Sequence, residues 1–70
     1  MSEIQSILFH TSIYNAVLAR KWMKVHSFYP IKRVDKTNTY LRYRITDPSK
    51  YSKFRTKQIV NGINVIIGID

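Results

Sequence analysis

Seventy residues with 44% hydrophobic content suffice for one small domain and are too apolar for a disordered tail. A chain this short buries only about 60% of its unfolded surface, so its stability is marginal or helped by a partner or a second copy. The absence of cysteine excludes a disulfide staple, a thiolate nucleophile and a Cys-ligated zinc, and fits a reducing cytoplasm, while twelve Lys and Arg against four Asp and Glu give a net +8 that points to an anionic partner.

The first element is "EIQSILFH". Ile4, Ile7, Leu8 and Phe9 alternate imperfectly, so a short strand at 3–9 is expected, with a helix start as the alternative. No basic segment precedes these apolar residues, so no secretory leader is expected. The longest apolar run is far short of the ~20 residues a bilayer span requires, and no membrane is expected among the partners.

"TSIYNAVLARKWMKVH" predicts a helix. Thr11 or Ser12 can cap it, because a hydroxyl accepts a hydrogen bond from a free first-turn N–H. At 100° per residue, Tyr14, Leu18, Trp22 and Val25 form an apolar stripe, widened by Ala16, Ala19 and Met23. Arg20, Lys21 and Lys24 cluster on the opposite side as a cationic face. The helix should stop near His26, ahead of "SFYP", since the residue before Pro30 is biased away from helix.

Residues 31–34 read as a short irregular strand and "DKTN" as a turn. "TYLRYRIT", residues 39–46, reads as a strand with Leu41, Tyr43 and Ile45 inward and Tyr40, Arg42 and Arg44 outward. Asp47 before Pro48 suits a cap followed by a single helical turn at 48–53. "FRTKQIV" is a further strand, and "NG" at 61–62 is a hairpin signal. "INVIIGI" is almost wholly apolar and should be a central strand, with Gly68 marking a bulge or a close backbone approach. The expected fold is a single α+β domain, in which one amphipathic helix packs on a small, mainly antiparallel sheet in the order β-α-β-β-β.

All twelve cations lie between Arg20 and Lys57, where only Asp35 and Asp47 oppose them, a net +10. Charge segregated in this way suits a polyanion, and Arg matches phosphate through its planar fork of donors. If the strands carrying Arg42 and Arg44 and carrying Arg55 and Lys57 pair with aligned faces, four cations and Tyr40 share one surface. Lys50 and Lys53 flank it as auxiliary cations. Tyr40 and Tyr51 could then stack on bases. Arg20, Lys21 and Lys24 form a second patch, which is equally a plain solvated helix face. Trp22 is expected in the core, and Phe28, Tyr29 and Pro30 cover its edge.

Catalysis finds no pattern. The acids are scattered, His10 and His26 lack ligand spacing, and no nucleophile elbow is present. No enzyme activity, cofactor or metal is expected.

"ARKWMKVH", "YLRYRITDP", "FRTK" and "GINVIIGI" together resemble a set of small, basic, mostly uncharacterised proteins encoded by phages and other DNA viruses. The resemblance runs from about residue 15 onward. It implies a viral or mobile-element origin and an intracellular site, in host cytoplasm or nucleus. It also implies that Trp22, Arg42, Arg44, Phe54, Arg55 and Gly68 occupy recurring positions.

The sequence thus predicts a nucleic-acid-binding protein of little sequence specificity, with DNA favoured over RNA. Two rival expectations use the same residues: a viral protein that binds an acidic host protein, and a homodimeric component of a virus particle, suggested by the apolar 63–69 strand.

Overall fold

Five strands and one α-helix follow as β1 (Ser2–His10), α1 (Ala16–Val25), β2 (Asp35–Lys36), β3 (Tyr40–Arg44), β4 (Lys53–Val60) and β5 (Ile63–Ile69). A single 3-10 turn, Pro48–Lys50, precedes β4. The computed structural model describes residues 2–70. The strands form one sheet in the order β2-β3-β1-β5-β4, and every neighbouring pair is antiparallel. The fold is α+β, in the order the sequence predicts apart from the short β2. That strand falls where a turn is expected. Thr37 moves the turn onward: its N–H donates to Tyr40 O at 2.9 Å, and its hydroxyl accepts from Tyr40 N–H at 2.9 Å. Residues 31–34 form no strand, although Ile31 N–H donates to Arg44 O at 2.9 Å.

One sheet face is covered by the helix. Ile7 and Phe9 of β1, Leu41 and Tyr43 of β3, and Ile63 and Val65 of β5 are buried there with Ala19 and Met23. Phe9 is the hub. Its ring meets Tyr14 edge-on at 5.3 Å, and Trp22 and Tyr43 edge-on at 5.7 Å each. The β5 strand is interior, as its continuous apolar run suggests, although β1 and not β5 is the middle strand. Both edges of β5 are paired, with β1 on one side and β4 on the other. The free edge on that side belongs to β4, all eight of whose residues are exposed.

The helix departs from expectation in its start and its rotation. Its cap is Asn15, whose side chain accepts from Leu18 N–H at 2.9 Å. Neither expected cap is available: the Thr11 hydroxyl donates to Asn38 O, and the Ser12 hydroxyl pairs with His10 Nδ1. Ala19 and Met23 face the sheet with Ala16 beside them, and Trp22 lies half-buried on the flank. Leu18 and Val25, assigned to the apolar stripe, are instead 47% and 72% exposed. Small alanines let the helix approach closely over the bulky Phe9, so the sheet supplies the volume and the larger helix residues turn aside.

The helix ends where predicted, but by another device than Pro30. Ser27 takes a left-handed φ of 61°, Phe28 N–H donates to Met23 O at 2.8 Å, and Ser27 N–H donates to Lys24 O at 3.2 Å. This is a Schellman motif, and it carries Phe28 back onto the core.

The β3–β4 connection must pass β1 and β5 to reach the opposite edge. A bulge at Gln5 anchors it. Gln5 O accepts from Ile45 N–H at 2.8 Å and Thr46 N–H at 3.2 Å, and its buried amide donates to Thr46 O at 3.0 Å. Asp47 caps the 3-10 turn through Ser49 N–H, as its position before Pro48 predicts. Tyr51 then lies over Gly68 on the face away from the helix, with its hydroxyl donating to the Glu3 carboxylate.

Candidate nucleic-acid interface

Residues opposite one another in a ladder share a sheet face, so register assigns every strand cation to a side. Arg42 lies across from Leu8, Arg44 from Ser6 and Tyr40 from His10. These alternate with the buried Leu41 and Tyr43, so they occupy the face away from the helix. The crossover covers one end of that face, where Tyr51 lies over Gly68. Tyr40 meets His10 edge-on at 5.3 Å, and the Arg42 Nε is buried without a partner among the described residues.

The other strand pair points the opposite way. Lys57 lies across from Val65, Arg55 from Ile67 and Lys53 from Ile69. Val65 and Ile67 belong to the core side, so these three cations stand on the helix-bearing side. The expected convergence of Arg42 and Arg44 with Arg55 and Lys57 is therefore absent. The two strands do not pair; β1 and β5 lie between them, and their cations project to opposite faces. The expectation rested on pairing between strands adjacent in sequence, whereas the crossover sends β4 to the far edge.

Sorting all twelve cations by side gives an uneven result. The helix-bearing side holds Arg20, Lys21 and Lys24 on α1, and Lys53, Arg55 and Lys57 on β4. Lys36, opposite Leu41, joins them, and Lys32 and Arg33 share a cleft with Arg20. That makes nine of twelve. Arg42 and Arg44 lie on the open face, and Lys50 borders a hollow with Glu3, Tyr51 and Asp70. The acids follow the opposite pattern. Asp35 faces Arg42 across β2–β3, Glu3 faces Gly68, and Asp70 shares the hollow with Glu3. Asp47 sits in the crossover, its carboxyl held below the usual range first by the Ser49 N–H, then by the Ser49 hydroxyl, with Lys32 and Lys50 contributing less. The open face is thus nearly balanced, whereas the helix-bearing side is almost purely cationic.

On that side the cations form two banks. Lys53, Arg55 and Lys57 run along β4 at alternate positions, spaced about 6–7 Å apart by strand geometry. The helix and the 32–33 pair form the second bank. The helix also carries Leu18 and Val25 exposed and Trp22 half-buried. Trp22 is held by His26 and Phe28, at ring separations of 4.1 and 6.1 Å.

Lys32 and Arg33 were not singled out by sequence reasoning, because a strand assignment hides the loop geometry that turns them toward Arg20. The directly preceding Pro30–Ile31 pair is the signal that could have found them, since proline fixes the approach of the loop. The Tyr43 hydroxyl is buried in the same region without a partner among the described residues, at a cost of about 1–3 kcal/mol for such a group. Burial pushes its phenol above the ordinary value, with Arg20 pulling it the other way. Among the described residues no group of three His, Asp or Glu could hold a metal, and no helix is long and apolar enough to cross a membrane.

No protein-family model, curated protein or solved structure matches the chain.

Proposed function

We propose that this protein binds nucleic acid through its helix-bearing side, tracking the phosphate backbone with little base readout. The observation that carries the reading is the segregation of charge: nine of twelve cations lie on one side, and the acids Glu3 and Asp35 lie on the other face. Self-repulsion on that scale destabilises a small domain unless a polyanion relieves it. The phosphate contacts are Arg55, Lys57 and Lys53 from one bank, and Arg20, Lys21 and Lys24 from the other. Tyr40, Arg42 and Arg44 serve a secondary role at most, because Asp35, Glu3 and Asp70 offset their charge on that side. A basic surface without a groove-reading module accounts for low sequence specificity. The regular run of Lys53, Arg55 and Lys57 along β4 suits a backbone of repeating charge, DNA in the first instance.

A salt series on a random-sequence duplex tests this. Each engaged phosphate contributes about 0.9 to the negative slope of log K against log salt. The double variant Arg55→Ala with Lys57→Ala should make the slope shallower by about 2, and Arg42→Ala with Arg44→Ala should change it little. The reverse outcome would move the interface to the open face. No binding to duplex or single strand at low salt would remove the reading altogether.

One observation favours an acidic protein as partner instead. Val17 and Val25 are 75% and 72% exposed amid the helix cations, and Tyr29 is 68% exposed nearby. Apolar contacts of that kind would give a stoichiometric complex that survives high salt, which a phosphate-tracking surface would not.

A further inference from the structure

We propose that the cleft between α1 and the 30–34 loop is a binding site for a phosphate monoester, held by Arg20, Lys32 and Arg33 with the Tyr43 hydroxyl as a fourth donor. The cleft has a volume of about 340 Å³, in the lower part of the range for small-molecule sites. Arg20 enters it from the helix, Lys32 and Arg33 from the loop, and Tyr43 from β3, while Pro30 and Val34 form apolar walls. No carboxylate lines it.

Three features point to a ligand rather than a solvated patch. Tyr43 is only 3% exposed, and its hydroxyl has no partner among the described residues, although buried hydroxyls are nearly always paired. The cations come from separate elements yet border one recess. The loop that carries two of them is pinned on both sides, by Ile31 N–H on Arg44 O at 2.9 Å and by Val34 against the core. Such anchoring lowers the ordering cost of binding.

The chemistry selects a monoester. At neutral pH it carries about −1.5 to −2 and offers three free oxygens, matching three cations and a hydroxyl donor. An arginine fork can engage two oxygens together. A carboxylate or a phosphodiester carries a single charge and leaves the site under-neutralised. The site shares Arg20 with the polymer surface but is told apart from it by its ligand, a terminal or free phosphate, and by its marker Tyr43.

The test is a ¹H–¹⁵N titration with inorganic phosphate and, separately, with a nucleoside 5′-monophosphate, at ionic strength held constant with chloride. Saturable shifts at amides 31–34 and 43 are expected with both probes. Arg20→Gln and Tyr43→Phe should each weaken binding at least about tenfold, the loss expected for a hydrogen bond to a charged group. Tyr43→Phe keeps the ring and breaks no bond within the protein, so the free variant should melt at or above the wild-type temperature. Its salt slope on duplex should match the wild type, so that loss of phosphate binding is read apart from loss of nucleic-acid binding. Non-saturating shifts, an equal response to sulfate, or an unchanged affinity in Tyr43→Phe would overturn the proposal.

Discussion

The ring of Tyr51 lies directly over Gly68, so close that a methyl group on Gly68 would stand within 3.0 Å of three ring atoms. The glycine is not there for backbone freedom, since its φ is not left-handed. It is there for the space above it. That space lets the β3–β4 crossover close down on the sheet and brings the Tyr51 hydroxyl to Glu3 and to Thr46. Gly68→Ala should therefore destabilise the fold by about 1–3 kcal/mol through overpacking. In a Tyr51→Ala background the same substitution should cost much less. Urea denaturation of the four proteins of this cycle measures the difference.

Ser27 ends the helix in a conformation that favours glycine. Its left-handed φ of 61° costs an L-residue about 1–2 kcal/mol, and its N–H is already used in the Schellman motif. Ser27→Gly should stabilise the protein by about 1 kcal/mol. For a domain of this size that raises the melting temperature by about 4–8 °C, measurable by calorimetry.

Asp47 links stability to acidity. Its folded carboxyl titrates below the usual range because the Ser49 N–H and hydroxyl, and then Lys32 and Lys50, favour the charged form. The native state therefore binds fewer protons than the unfolded chain. The resulting stability is complete above the unfolded value of about 3.9 and is lost as pH falls through the lower folded value. Asp47→Asn keeps a capping oxygen and removes the charge. Its melting temperature should lie below that of the wild type at pH 7, and the gap should narrow below pH ~4.

Phe9 carries the aromatic hub of the core, fully buried among Tyr14, Trp22 and Tyr43. Phe9→Ala should cost about 3–5 kcal/mol. Total stability for a chain of this length is of the order of 4–10 kcal/mol, and the melting temperature followed by circular dichroism should fall by more than about 12 °C. Leu18→Ala, at an exposed position of the helix, should change stability by less than about 0.5 kcal/mol.

Where a local signal and its physical cause coincide, the sequence is readable. Asp47-Pro48 caps a turn, Asn61-Gly62 turns a hairpin with Gly62 at a φ of 84°, and the inward triplet Leu41, Tyr43, Ile45 alternates as a strand must. The helix rotation is less readable, because Leu18 and Val25 look more hydrophobic than Ala19, and only the bulk of Phe9 beneath decides which face fits. The candidate site was half-legible. Its residue types and charge are plain in the sequence, but the side to which Arg55 and Lys57 point depends on strand order. That order rests on the Gln5 bulge in the β1–β5 pairing and on the Gln5 contacts that hold the crossover at Thr46, about forty positions away.

The sheet's centre has a consequence for timing. β1 is flanked by β3 and β5, and Ser2 finds its partner only in Ile69. The first of the five strands is thus the last to have both edges satisfied. Pairings of such long sequence separation carry a heavy loop-closure cost and slow the search for the native state. Until residues 63–69 emerge from the ribosome, Ile7 and Phe9 wait beside an unpaired backbone edge. The nascent chain is then at its most vulnerable to association with its neighbours, a hazard governed by the pace of translation and not by the stability of the finished fold.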